Sequence, residues 1–264
     1  MNSRQKKLAA FGRLLDIMDE LREKCPWDKK QTFESLRQLT IEETYELGDA
    51  ILEGNLLEIK KELGDLLLHI VFYSKLGSEE EAFDIADVAH NISEKLIYRH
   101  PHVYSNVKVK NEEEVKKNWE ALKLKEGNNS VLEGVPKGQP SLVKAQRIQE
   151  KAAGVGFEWE SKEQVWSKFK EEITEFKVEV SKGNIKRSEE ELGDVFFSLI
   201  NYARFLKIDS DTALERANKK FIKRFNFIEE KAKKMNKSLC KMSLKEMENL
   251  WKEAKNQSSL SDIS

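Results

Sequence analysis

A chain of 264 residues with 46 Lys and Arg against 47 Asp and Glu carries a formal charge of -1, which excludes a global basic field for nucleic acid. Hydrophobic residues make up 39% and charged residues 35%, with only 12 Gly and 4 Pro, a balance that fits an all-helical soluble protein with charge-laced surfaces. Apolar runs such as 66–73 are too short to cross a bilayer, and Asp16, Asp19 and Glu20 interrupt the stretch after the basic start, so neither membrane span nor signal peptide is expected and the cytoplasm is the expected compartment.

The 3.6 period predicts helices in chain order. The first, 8–24, carries Leu14, Leu15, Met18 and Leu21 on one face and is broken by Cys25-Pro26-Trp27-Asp28. Thr32 is the expected cap of a helix through Glu53, ended by Gly54-Asn55. Helices over 57–75, stopped by Gly77, over 80–98, and over 112–125 complete the first half. Turn residues cluster most densely in Glu126-Gly-Asn-Asn-Ser130 and Gly134-Val-Pro-Lys-Gly-Gln-Pro140. The expected division is therefore a domain over 1–127, a linker over 128–140 and a second domain over 141–264. The second half repeats the plan with helices over 142–153, 162–181, 188–206, 211–234 and 244–255, Asp209 and Ser210 offering caps. Only 103–109 reads weakly as a strand. The expected fold is all-α, two tandem helical bundles. Cys25 and Cys240 are far apart with no Cys-x-x-Cys, so neither a disulfide framework nor zinc is expected.

The same acidic pattern occurs in both halves. Glu42-Glu43-x-x-Glu46 is followed by Glu62-x-x-Asp65, and Glu171-Glu172-x-x-Glu175 by Glu191-x-x-Asp194, at an offset of 129 residues (43 to 172). Carboxylates three or four apart on a helix repel by about 0.2–0.5 kcal/mol per pair. A hairpin through Gly54-Asn55 can bring Glu43, Glu46, Glu62 and Asp65 face to face, and the second half does the same with Glu172, Glu175, Glu191 and Asp194. Two like charges at 4 Å cost about 1–4 kcal/mol, so four together call for a cation, and oxygen-only ligation suits Mg²⁺ or Mn²⁺. A solvated acidic face is the alternative for any one cluster; the duplicated register favours the metal. Positions 63, 67, 70 and 71 are apolar, which places the carboxylates at the margin of the buried face. His69 follows one turn after Asp65, but Ser198 is its counterpart, so packing or hydrogen bonding is expected of it. No Glu-x-x-His, Walker loop or Gly-x-Ser-x-Gly is present.

Cations recur in register as well: Lys95 and Arg99 in the first half, Lys220 and Arg224 in the second. The i, i+4 spacing puts each pair on one helix face, either a solvated face or a phosphate contact. Trp119 and Trp251 read from sequence as core packing, with base stacking as the alternative.

These motifs resemble the MazG-type nucleoside triphosphate pyrophosphohydrolases, all-α enzymes with tandem domains. The doubled Glu-Glu-x-x-Glu and Glu-x-x-Asp carry the resemblance. So do Leu21-Arg-Glu-Lys-Cys-Pro-Trp-Asp28 with Gln31-Thr32, Leu132-Glu-Gly-Val-Pro136, Ala145-Gln-Arg-Ile-Gln-Glu-Lys-Ala-Ala153 and Val155-Gly-Phe-Glu-Trp159. The resemblance implies Mg²⁺-dependent hydrolysis of a nucleoside triphosphate to monophosphate and pyrophosphate, water attacking the α-phosphorus, in the service of nucleotide-pool house-cleaning or regulation. It implies that Glu172, Glu175, Glu191 and Asp194 hold the metal, with Glu171 or Glu175 taking the proton of the water. It further implies that Lys168, Phe169, Lys170, Glu171 and Glu172 line the nucleotide site with Arg187. Lys220, Phe221, Ile222, Lys223 and Arg224 would meet phosphates, Trp251 the nucleoside, and the protein would be a homodimer. The first half keeps Glu43, Glu46, Glu62 and Asp65, with Lys95, Arg99 and Trp119 as possible contacts. Leu39 stands there at the position of Lys168 and Glu58 at that of Arg187, which implies weaker or different activity. The rival from another class is a non-catalytic helical module that binds a nucleotide or a cation.

Overall fold

The computed structural model describes residues 1–111, 114, 115, 118, 119, 122 and 130–261. No strand occurs among the described residues, and the chain divides into two compact units, Met1–Glu112 and Glu113–Ser264. The helix expected over 112–125 and the boundary expected at 127/128 lie largely outside the described residues.

In the first unit, α1 (Arg4–Lys24), α2 (Phe33–Glu53) and α3 (Leu56–Glu79) are followed by α4 (Ile85–Arg99) and a single turn, α5 (Pro101–Tyr104). Helix α2 starts where the sequence says it should. Thr32 accepts a hydrogen bond from the Ser35 backbone while the Ser35 hydroxyl accepts one from Thr32, a closed capping box. Gly54 ends it in the left-handed region, φ 67°, a conformation that costs a side-chain-bearing residue more. Asn55 then caps α3 at once, so α2 and α3 form a tight hairpin. Helix α3 runs through Gly77 to Glu79 rather than stopping there. Gly77 serves packing instead: a Cβ at that position would meet the Phe83 ring at 2.7 Å. Helix α4 begins at its Asp84 cap, later than the period suggested, and 103–109 forms no strand. The core joins Met18 from α1, Leu36 from α2 and Val71, Phe72 and Leu76 from α3. Arg22 closes this end by donating to the Asp28 and Gln31 carbonyls and pairing with Glu79.

In the second unit, α6 (Ser141–Gly154), α7 (Lys162–Ser181), α8 (Ile185–Phe205), α9 (Ser210–Lys234) and α10 (Leu244–Ser261) follow. The local devices repeat at the same 129-residue offset (32 to 161, 54 to 183, 55 to 184). Ser161 and Gln164 form the capping box of α7, Gly183 takes φ 70°, and Asn184 caps α8. The result is a second tight hairpin, α7–α8. Helix α6 packs on α8, and α9 packs against α6, α8 and α10. Val165, Ile200, Ile228, Ala232 and Ala254 are the buried apolar residues of these helices.

The buried side of each hairpin differs from expectation. Leu63, Leu67 and Ile70 are exposed, as are their counterparts Leu192, Phe196 and Leu199. Glu62 and His69 are buried instead. The carboxylates of α3 thus start inside the hairpin rather than at its margin, because α2 and α1 cover the 62–69–76 side of the helix.

Candidate active site

In the second unit, the α7–α8 hairpin brings carboxylate oxygens of Glu172, Glu175 and Glu191 within 4.8 Å of one another. Glu172 is buried, Glu191 half-buried and Glu175 exposed, so the group opens to solvent on one side. Burial and then the charges of Glu175, Asp194 and Glu172 push the Glu191 carboxyl above its ordinary value. Asp194 therefore acts on the same group, although it lies outside the tight three. Lys168, one turn before Glu172, places Nζ 2.8 Å from Glu171 Oε1 and 2.9 Å from Glu172 Oε1. The hydrogen bonds to Glu171 and then Glu172 hold its ammonium above the usual lysine range.

The first unit builds a parallel group from Glu43, Glu46 and Glu62, again within 4.8 Å. Burial, then Asp65, Glu46 and Glu62, raise the Glu43 carboxyl. Glu62 is 3% exposed. Its Oε1 accepts a hydrogen bond from Lys61 Nζ at 2.9 Å, and its Oε2 is buried with no hydrogen-bond partner. A buried carboxylate oxygen left unpaired is costly, and a divalent cation among these oxygens would relieve it. Both groups offer hard oxygen donors only, which fits Mg²⁺ or Mn²⁺. His69 is not among the grouped side chains; its Nδ1 lies 2.6 Å from Thr40 Oγ1, which also meets the Tyr73 hydroxyl at 2.8 Å. Burial lowers the His69 pKa, opposed by Asp65.

Beside the second group lies a cavity of about 670 Å³, within the size range of small-ligand sites. Lys168, Glu172 and Asp194 form its anionic and cationic rim, and Phe157, Trp159 and Phe197 supply apolar wall. Gln149, Ser198, Asn201 and the Arg204–Glu158 ion pair, 2.6 Å, add polar groups. Sequence reasoning assigned no role to Gln149, Trp159 or Asn201. Two of them sit in the segments Ala145–Ala153 and Val155–Trp159 whose motifs carry the family resemblance, and that was the available signal.

The remaining sequence-selected residues are placed differently. Phe169 packs on Trp166 at 5.2 Å, and Lys170 is exposed. Arg187 stands in the first turn of α8, paired with Glu190 at 3.3 Å. Lys220, Phe221 and Ile222 are exposed on α9. Lys223 and Arg224 line a separate hollow of about 400 Å³ with residues of α10. Trp251 packs on Phe221 at 5.1 Å and under the Arg224 guanidinium at 5.5 Å. None of the 220–224 segment or Trp251 lines the larger cavity. Lys95 is exposed and Arg99 half-buried near the end of α4, while Trp119 falls in the range of the second unit.

Fold and site define a class: tandem all-α domains, each built on a helical hairpin that gathers carboxylates fit to hold a divalent cation. Residues 31–104 and 160–227 match the MazG nucleotide pyrophosphohydrolase domain, one match over each acidic hairpin. The chain belongs to the MazG family and is an enzyme of the pyrophosphohydrolase class. It is 39% identical over 256 residues to the nucleoside triphosphate pyrophosphohydrolase of Escherichia coli (strain K12), covering 94% of this chain and 97% of that one. Over 250 residues it is 40% identical to the nucleoside triphosphate pyrophosphohydrolase/pyrophosphatase MazG of Thermotoga maritima, covering 93% and 95%. It is 47% identical over 254 residues to the uncharacterised protein YabN of Bacillus subtilis (strain 168), covering 93% of this chain and 51% of that one. The family resemblance read from the motifs and the all-α tandem fold are both borne out.

Proposed function

We propose that the second unit hydrolyses nucleoside triphosphates to nucleoside monophosphate and pyrophosphate, with Mg²⁺, or Mn²⁺ in its place, held by Glu172, Glu175, Glu191 and Asp194. The observation that carries this reading is the meeting of a carboxylate group, a lysine and a nucleotide-sized cavity at one rim, through Lys168, Glu172 and Asp194. A cation held by these carboxylates would supply charge neutralisation to the triphosphate and activation of the attacking water.

The chain's own residues have distinct parts. Lys168 moves from the carboxylates to a phosphate oxygen, where its ammonium offsets charge developing on the leaving group. That movement frees Glu171, which stands outside the three-carboxylate group. Glu171 rather than Glu175 takes the proton of the water, because a cation beside Glu175 lowers the basicity of that carboxylate. Lys220, Arg224 and Arg187 are phosphate contacts by resemblance only. The first unit keeps a carboxylate group but has Leu39 in place of Lys168; it holds a cation and turns over triphosphates weakly or not at all.

The exposed stripes Leu63, Leu67, Ile70 and Leu192, Phe196, Leu199 support the expected homodimer, since apolar faces of this kind are commonly buried against a second copy. No helix among the described residues is long and apolar enough to cross a membrane. The role proposed on the family resemblance is house-cleaning or regulation of nucleotide pools in the cytoplasm. Incubation with mixed nucleoside triphosphates and Mg²⁺ tests the reading. Stoichiometric monophosphate and pyrophosphate are expected. Mg²⁺-dependent binding without product would mean a non-catalytic binding module instead.

A further inference from the structure

The larger cavity contains two side-chain amides, and each is held by a partner that can play only one hydrogen-bonding role. Gln149 on α6 donates its Nε2 to the Phe197 carbonyl at 2.8 Å. A carbonyl cannot donate, so the amide cannot be reversed, and Oε1 is the end left over. Gln149 is 6% exposed, lines the cavity, and its Oε1 is buried with no hydrogen-bond partner. Asn201 on α8 is oriented in the same way. Its Oδ1 accepts from Arg204 Nε at 3.2 Å and from an Arg204 terminal nitrogen at 2.8 Å. A guanidinium only donates, which turns the Asn201 Nδ2 donor away from Arg204. Arg204 is itself fixed by Glu158 at 2.6 Å.

One cavity therefore carries an oriented, unpartnered acceptor at Gln149, with the Asn201 amide also on its lining and Trp159 and Phe197 as apolar wall. A nucleobase edge that carries an N–H complements such an acceptor, and its flat faces suit the aromatic walls. It does not suit a wholly apolar ligand, which would leave the buried acceptor unpaired. Trp251 is the competing platform for a base, but its ring is already covered by Phe221 and the Arg224 guanidinium.

We infer that the nucleobase of the substrate enters the cavity between Trp159 and Phe197 and is read there by Gln149, whose Oε1 accepts a hydrogen bond from a base N–H. The inference rests on the reading of the cavity rim as the triphosphate site, since the base enters where the phosphates leave off. Gln149 is in this sense a specificity-determining residue. The ligand class is a base that retains an N–H on its hydrogen-bonding edge; a base whose edge N–H is absent or alkylated is rejected. Leaving a buried acceptor unpaired in the complex costs roughly 10- to 100-fold in affinity.

The test compares matched substrates with the unaltered protein and Mg²⁺, reading pyrophosphate release. ATP is set against purine riboside triphosphate, and UTP against 3-methyluridine triphosphate. The expected result is a loss in kcat/KM of roughly 10- to 100-fold for at least the better-used pair, carried mainly by KM. In Gln149→Met the two members of that pair come within about threefold, with helical circular dichroism unchanged. Equal use of both members by the unaltered protein overturns the inference. So does discrimination that survives Gln149→Met, or that disappears in Trp251→Ala instead. Because the substrate comparison needs no variant, a Gln149→Met protein that fails to fold leaves the test intact. Pyrophosphate from both members at equal rates sinks the base pocket alone, whereas no pyrophosphate from any triphosphate sinks the proposed function itself.

Discussion

Lys168 Nζ stands 2.9 Å from Glu172 Oε1, and one repeat earlier the lysine is replaced by Leu39. In the first unit Lys61 supplies the ammonium instead, from the other helix of the hairpin, 2.9 Å from Glu62. Each carboxylate group therefore carries one internal cation, but from opposite sides, and only Lys168 also borders the larger cavity. Lys168→Met is expected to raise KM for the triphosphate about tenfold or more while changing the stability of the metal-free protein by less than about 1 kcal/mol, the ion pair being partly exposed. Steady-state pyrophosphate release and thermal unfolding of the same preparation check both halves. An unchanged KM would remove Lys168 from the phosphate site.

The two carboxylate groups are predicted to be unequal in function. Glu172→Ala should reduce pyrophosphate release by more than about 100-fold, as expected for loss of a metal-holding group. The double change Glu43→Ala and Glu46→Ala should leave most turnover intact. Helical circular dichroism should persist in both proteins. Equal losses from the two changes would show that both units work.

The Thr40 hydroxyl joins His69 at 2.6 Å and Tyr73 at 2.8 Å inside the first unit. Thr40→Val keeps the side-chain volume but leaves the buried His69 Nδ1 without this partner. A destabilisation of about 1–3 kcal/mol is expected, read from urea unfolding followed in the first unit. The second unit has Phe169, Ser198 and Tyr202 at the corresponding positions, so Phe169→Leu there breaks no such network and should act through packing alone.

Helix α10 begins with a reciprocal cap. The Ser243 backbone N–H donates to Glu246 Oε2 at 2.8 Å, and Lys237 Nζ donates to Glu246 Oε1 at 2.7 Å. The hydrogen bond from Lys237, then that from the Ser243 backbone, pulls the Glu246 carboxyl down to about 2 from its ordinary 4.5. A lowered carboxylate pKa contributes stability that is complete above the unfolded value and is lost as pH falls through the folded one. The melting-temperature gap between the unaltered protein and Glu246→Gln should therefore be constant above pH 4.5 and close as the pH approaches 2. A gap that widens on acidification would contradict the cap.

Much of this site was legible in the chain because its determinants are local. The caps Thr32 and Asp209, the turn at Gly54-Asn55 and the i, i+3 pairing of Glu43 with Glu46 all depend on residues within one or two helical turns. Other features were not local. Gly77 looked like a helix stop, yet the helix runs on to Glu79, and the missing Cβ instead leaves room for the Phe83 ring. His69 lacked a counterpart in the repeat, and its partner Thr40 lies 29 residues away on another helix.

By itself the sequence determined the duplication, the two acidic hairpins and their carboxylate-only groups, since spacing on a helix converts directly into a shared face. The tertiary structure alone decided which face is covered: Glu62 and His69 inward, Leu63, Leu67 and Ile70 outward. It alone assembled the cavity that sets Gln149 from α6 and Trp159 from the following loop beside Asn201 and Phe197 of α8. Periodicity tells which side chains travel together along a helix, but burial depends on what the neighbouring helices cover, and that arises only when the bundle closes.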